Sequence, residues 1–345
     1  MRLILCLLFA GILAGCSTLT YVDIQTCNPA EITFPATVGK VLVVNHAVAQ
    51  PADKGYVYLL GDEKQDTCRA YADSALTDAC RSLGEQLVAG DYFNDVLFYH
   101  DPLRTDDRYW EDRKMDRRVV DSLCQATQVD ALITFDRLLF DMEKQVNAHT
   151  EGYEGTIRVK IGGVARAYLP GRDQPLATVY VQDSIYWQEW AGNQKMLDFL
   201  LPTPDEALRT AGTYIGKQLS PNFVPHWDNE TRWYFSTSEA KWKEAAAYAA
   251  AEKWEEAFER WKMIYERGNW KSQARAASNL ALCEEMRGHL REAHTWAKKS
   301  YDLFKEHTGE EAVYTKLLEA YESVLAERVQ KDQKLNVQFG EEITK

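Results

Sequence analysis

Few of the reactive side chains in this chain are spaced for chemistry. His289 and His294 are five residues apart and lack the HExxH pattern, so they do not share a helix face as zinc ligands at i and i+4 would. Beyond Cys6 and Cys16 the cysteines are Cys27, Cys68, Cys80, Cys124 and Cys283. They form no CxxC motif, and their odd number leaves at least one thiol unpaired or bridged to another chain. Cys80, Cys124 and Cys283 fall on apolar helical stripes, where a thiol acts as a small hydrophobe. Cys27 and Cys68 precede regular structure and are candidates for a disulfide whose pairing stays open. Asp136, Asp141, Glu143 and Asp183 could do acid–base work only if a cleft brought two of them together. Ile161-Gly162-Gly163 lies inside a strand pattern and Gly216-Lys217 lacks a preceding glycine loop, so neither is a phosphate loop; Gly162 reads as a bulge or a close contact. There is no GxSxG elbow. No catalytic residue, metal ligand or cofactor site is expected, and the chain reads as a non-enzyme.

Aromatic residues carry the other possible chemistry. Tyr186, Trp187, Trp190, Trp227, Trp233 and Tyr234 offer ring faces beside amide side chains, a combination that stacks sugars and hydrogen-bonds their hydroxyls. Trp187, Trp190, Trp227 and Trp233 are therefore the candidate contacts for a partner or a glycan. The competing reading is that these rings form the core of a domain junction.

Cys16 stands apart. It closes Leu13-Ala14-Gly15-Cys16 after an apolar run, residues 3–14, that starts behind Arg2. The run is too short for a bilayer span of about 20 residues and fits the core of a secretory signal. The tetrapeptide resembles the lipobox of bacterial lipoproteins, which implies cleavage after Gly15 and acylation (palmitate among the chains) of Cys16 as the membrane anchor. Ser17 follows, without the Asp that resembles an inner-membrane retention signal, so an outer-membrane location facing the periplasm is implied. No later apolar run is long enough to span a membrane.

The net charge of −12, with Lys and Arg interspersed among acids, argues against nucleic acid, whose phosphates require clustered bases. With 345 residues and 46% apolar content, two domains are expected. Residues 1–15 read as signal and 16–36 as a tether. Residues 37–222 read as an α+β domain. The Val-rich run at 38–47 is a central strand buried on both faces. A loop covers 50–66. A helical stripe then runs through Leu76, Ala79, Cys80, Leu83, Leu87 and Val88. Val96–Tyr99 is a short strand, Val119–Cys124 a second helix, and a third strand runs from Asp130 toward Val146. Two alternating strands around Ile157–Ile161 and Val179–Ile185 flank a turn at Pro170-Gly171, and a helix starts at Pro204. The order βαβαβββα implies a mixed sheet with helices on one face. Residues 223–237 read as a linker.

Residues 238–345 are nearly all helix and repeat themselves. Trp254-Glu-Glu-Ala257 and Leu290-Arg-Glu-Ala293 are offset by 36 residues, as are Ala245 and Ala281. Small residues at fixed offsets let paired helices approach closely. The pattern resembles the tetratricopeptide repeat, with Ala245, Ala257, Leu280, Ala281 and Ala293 at its packing positions and Gly288 at its inter-helix turn. Glu252 replaces that glycine in the first unit. A last helix with Val313, Leu317, Ala320, Tyr321 and Val324 on its stripe would cap the stack.

The whole pattern resembles an uncharacterised family of envelope lipoproteins that join an α/β domain to tetratricopeptide-like helices. Lys40–Val44 and Asp130–Phe135 also carry a weaker likeness to the α/β domain of the curli-secretion lipoprotein and of activators of penicillin-binding proteins. The resemblance implies a membrane-anchored interaction or scaffold module with an envelope protein or peptide partner. A glycan-binding lipoprotein is the alternative.

Overall fold

The computed structural model describes residues 19–65 and 69–340. The signal segment, Cys16 and Cys68 lie outside the described residues. The chain divides into two compact units, an α/β unit of residues 29–226 with 338–340 and a helical unit that joins the N-terminal segment ending at Asn28 to residues 227–337.

The strands are β1 (Leu19–Asn28), β2 (Lys40–Asn45), β3 (Tyr56–Leu60), β4 (Glu63–Gln65), β5 (Asp95–Phe98), β6 (Ala131–His149), β7 (Gly152–Tyr168), β8 (Ala177–Ala191) and β9 (His226–Phe235). The α/β unit adds helices α1 (Asp73–Ala89), α2 (Arg117–Thr127), α3 (Gln194–Leu200) and α4 (Pro204–Leu219). Its seven-stranded sheet centres on β6. One edge of β6 pairs antiparallel with β7, which pairs antiparallel with β8. The other edge is shared by two parallel partners, β2 along Ala131–Phe135 and β3 along Met142–Val146. The Gln50 side chain fills part of the gap between them, accepting from Phe140 N and donating to Phe140 O, each at 2.8 Å. A side-chain amide thus completes the backbone ladder where no strand reaches.

Five of the six residues of β2 are buried, as a parallel strand covered on both faces requires. Val41 and Val43 pack with the α1 and α4 side chains Leu76, Leu83, Leu208 and Ile215. Leu42 and Val44 pack on the opposite face with Val120 and Cys124 of α2. Helices therefore cover both faces, not one. An alternating strand buries a single face, but Val41–Val44 of β2 are apolar without a break and need a cover on each side. The loop expected at 50–66 contains the β3–β4 hairpin, turned at Gly61. Helix α3, capped by Asn193, was not foreseen. Helix α4 starts at Pro204 behind a Thr203–Glu206 capping box. Its Gly212 and Gly216 lie against α1 so closely that a Cβ would stand 2.1 Å from Ala75 O and 2.4 Å from Ala79 O.

The helical unit holds α5 (Ala240–Ala250), α6 (Trp254–Arg267), α7 (Trp270–Met286), α8 (Leu290–Thr308) and α9 (Val313–Gln338), together with the two-stranded sheet β1–β9. Ordered strands thus occupy residues expected as tether and as linker. Val22, Ile24 and Thr26 alternate with exposed residues in β1, and Arg232, Tyr234 and Phe235 of β9 are buried. Side-chain pairs such as Asp23–Thr231 and Asn28–Asp228 tie the two strands.

The turns α5–α6 and α7–α8 are the same structure 36 residues apart. Glu252 and Gly288 both have positive φ, 58° and 78°. Lys253 and His289 follow at φ −87°, ψ 71° and φ −87°, ψ 66°. Lys253 N donates to Tyr248 O and His289 N to Glu284 O, each at 2.9 Å. Ala245, Ala257, Leu280, Ala281 and Ala293 are all fully buried. In α9 the buried stripe is Leu318, Tyr321 and Leu325, whereas Val313 is 81% exposed. Of the expected stripe Tyr321 is buried, but Val313, Ala320 and Val324 are exposed, because adjacent Leu317 and Leu318 allow either phase; in α1 the expected Val88 is likewise exposed, one step past the buried Leu87.

Candidate functional site

Two places in the α/β unit combine polar groups with shape. The first is a closed cluster at a bulge in β6. The register slips between Phe135 and Arg137, so Asp136 is the extra residue, a device that bends a strand and re-aims its side chains. Asp136 is fully buried, and each carboxylate oxygen receives two donors. Oδ1 accepts from His46 Nδ1 at 3.1 Å and Thr134 Oγ1 at 2.6 Å. Oδ2 accepts from Arg166 Nη1 at 2.7 Å and Tyr168 OH at 2.5 Å. Arg166 also pairs with Asp112 at 2.6 Å, and Tyr168 OH accepts from Met115 N at 3.1 Å. Burial pushes the Asp136 carboxyl up, but these hydrogen bonds outweigh it and hold the group below its ordinary value. Burial and the neighbouring carboxylate raise the Tyr168 hydroxyl. With its acceptor capacity used and no exposure, Asp136 has no lone pair left for a substrate proton. The cluster pins the bulge and the segment that carries Asp112 and Met115.

Beyond the bulge the same sheet face opens. Arg137, Leu139, Asp141 and Glu143 of β6 stand in rows with Val164, Gly162, Lys160 and Arg158 of β7, and with Tyr180, Gln182, Ser184 and Tyr186 of β8. A groove of about 990 Å³ lies here, with Tyr109, Arg137 and Tyr180 among its walls and Gly162 on its floor. Gly162 is neither a bulge nor a close contact, since a Cβ there would meet nothing within 4 Å. Its neighbour Gly163 is the tight one, 2.5 Å from Arg137 O on the same test.

In the helical unit, the α7 face bearing Asn279 and Glu285 is filled by β9. Asn279 is fully buried. Its Oδ1 accepts from Phe235 N at 2.7 Å, and its Nδ2 donates to Phe235 O at 2.8 Å. Glu285 accepts from Arg232 Nε at 3.1 Å, from Tyr321 OH at 2.8 Å and from Arg328. Burial and the Glu285 charge raise the Tyr321 hydroxyl well above its ordinary value.

The four tryptophans read as a contact cluster are not brought together. On β8, Trp187 packs half-buried against the core while Trp190 is 50% exposed on the opposite, open face beside His149. Alternation along a strand separates residues three apart in this way. Trp227 and Trp233 belong to the helical unit; Trp227 is exposed and Trp233 packs on Tyr321. The open face displays Tyr180 and Tyr186, on the side of β8 that alternation sets against Val179, Val181 and Ile185. His289 bonds to Glu284 and His294 to Glu322, at 2.7 and 2.6 Å. Cys80, Cys124 and Cys283 are buried free thiols, and Cys27 is a half-buried one. Among the described residues, no helix is long and apolar enough to cross a membrane.

Comparison with known proteins adds family but not activity. No curated protein matches the chain. A solved structure described as the PelC dodecamer from Paraburkholderia phytofirmans is 12% identical and covers 59% of this chain and 99% of its own, with a TM-score of 0.23; a likeness that weak carries no structural inference. The family described as domain of unknown function (DUF6340) matches residues 243–327, within the helical unit. The family described as domain of unknown function (DUF8603) matches residues 38–235, from β2 through β9, and the chain belongs to it.

Proposed function

We propose that this protein is a non-enzymatic lipoprotein of the bacterial envelope, anchored through acylated Cys16, whose helical unit is a tetratricopeptide-like module that binds a protein or peptide. The observation that carries the reading is the recurrence, 36 residues apart, of one inter-helix turn with the same φ/ψ values and hydrogen bonds. Repeated hairpins stacked through small residues present an extended surface for partners, and the module already holds an extended segment, β9, through Asn279 and Glu285. The saturated lone pairs of Asp136 support the non-enzymatic part.

The anchor would belong to the helical unit. Strand β1 begins at Leu19, three residues after Cys16, a reach of at most about 11 Å. A triacylated cysteine supplies the multiple chains that stable attachment requires. The outer membrane, on its periplasmic side, is the proposed site. Metabolic labelling with an alkyne palmitate tests the anchor: the wild-type chain should label and sediment with membranes, and Cys16→Ala should do neither. Equal labelling of both would refute it. Co-purification after crosslinking in intact envelopes tests the partner: discrete proteins should be recovered with the wild type, and recovery of none would refute the module.

A further inference from the structure

The groove of the α/β unit is built around a glycine the fold does not need. Glycine in a strand interior weakens the strand and usually marks a bulge or a close backbone approach. Gly163 fits that rule, lying against Arg137 O. Gly162 does not, because a Cβ there meets nothing and its backbone is not left-handed. With no side chain at Gly162 the groove floor stays low.

What surrounds the floor points to a ligand class. Along the exposed side of β8 an amide and a hydroxyl stand between two rings: Tyr180, Gln182 and Ser184 line the groove and Tyr186 follows beyond its end. Tyr180 and Tyr186 are 76% and 72% exposed, and no aliphatic side chain of β8 accompanies them on this face. A protein-docking patch would place such rings in a dry apolar centre. Rings flanking an amide and a hydroxyl instead match a sugar, whose C–H faces stack on aromatics while its hydroxyls bond to Gln182 and Ser184. Charge agrees: Asp141 stands opposite Lys160 and Glu143 opposite Arg158, so the floor has no strong sign. Arg137 is the cation left over. Among the described residues it has no carboxylate partner, its Nη1 reaches only Trp110 O at 3.4 Å, and its buried Nε has no acceptor.

We infer that the groove over Gly162 binds an oligosaccharide lying along β8, stacked on Tyr180 within the groove and on Tyr186 beyond its end, with Arg137 donating to its hydroxyl or carboxylate oxygens. The inference is independent of what the helical unit binds. Calorimetric titration of the full chain with two probes, chitohexaose and hexagalacturonate, tests it. At least one should saturate, and the arm that does identifies a neutral or an acidic chain. Gly162→Gln should weaken that binding by about tenfold or more without lowering the thermal midpoint, since the new side chain enters open space; Tyr180→Ala should weaken it as well. Failure of both probes to saturate, or an affinity in Gly162→Gln within about twofold of wild type, overturns the proposal.

Discussion

Glu252 and Gly288, 36 residues apart, hold the same left-handed backbone at the same place in two helical hairpins, and only one of them is a glycine. A side chain at positive φ costs about 1–2 kcal/mol, offset in part by the smaller entropy that a non-glycine residue loses on folding. Glu252→Gly should therefore stabilise the helical unit by about 0.5–1 kcal/mol, and Gly288→Ala should destabilise it by about 1 kcal/mol. Denaturant unfolding of the two variants checks both signs; a neutral or destabilising Glu252→Gly would show that the turn is not strained.

Asn279 satisfies both backbone groups of Phe235 from a fully buried position. Asn279→Ala strands a buried N–H and a buried C=O, each worth about 1–3 kcal/mol. Hydrogen exchange should show the Phe235 amide losing protection in this variant while amides in α1 keep theirs. Unchanged protection at Phe235 would mean that β9 is held without the clamp.

Asp136 predicts an acid-sensitive α/β unit. Its folded carboxyl titrates below the ordinary value of 3.8, so the folded state binds fewer protons than the unfolded chain near that pH. The stabilising contribution is complete above the unfolded value and is lost as pH falls through the folded one. Asp136→Asn leaves Arg166 with Asp112 as its one carboxylate and gives the four donors an amide that cannot accept from them all, so it should cost about 3 kcal/mol at pH 7. The variant's stability should also change less than the wild type's as pH falls below about 4. Parallel acid profiles in the two proteins would contradict this.

The short reach from Cys16 to β1 makes a spatial prediction. A fluorophore at Glu239, near the Ser236 that touches Thr20, should transfer energy efficiently to headgroup-labelled lipid in vesicles carrying the acylated chain. Acylated protein without transfer would break the proximity while leaving the anchor standing; Cys16→Ala provides the unanchored baseline.

Much of the core was legible because it rests on periodicity. The Val-rich β2, the α1 stripe, the start of α4 and the 36-residue offset all follow from spacing alone. Features set by partners were not. Strands β1 and β9 pair across some 200 residues, and isolated from each other they read as a polar tether and an aromatic linker. Burial of β2 on both faces followed from the unbroken apolar run Val41–Val44, but that α2 would cover the second face did not. The bulge at Asp136 leaves no mark in sequence, so neither the buried cluster nor the parity switch that brings Arg137 to the groove could be read. Gly162 and Gly163 were visible as a pair, but which one packs tightly depends on the bulge opposite.

The central claim, an anchored module that binds protein through its helices, is tested most directly by photocrosslinking in intact envelopes. A photoreactive amino acid replaces Met263 or Val313 on the helical unit, or Tyr186 on the open sheet face. The account predicts discrete crosslinked proteins from one or both helical positions and none from Tyr186. Crosslinks confined to Tyr186, or none from either helical position, would contradict it.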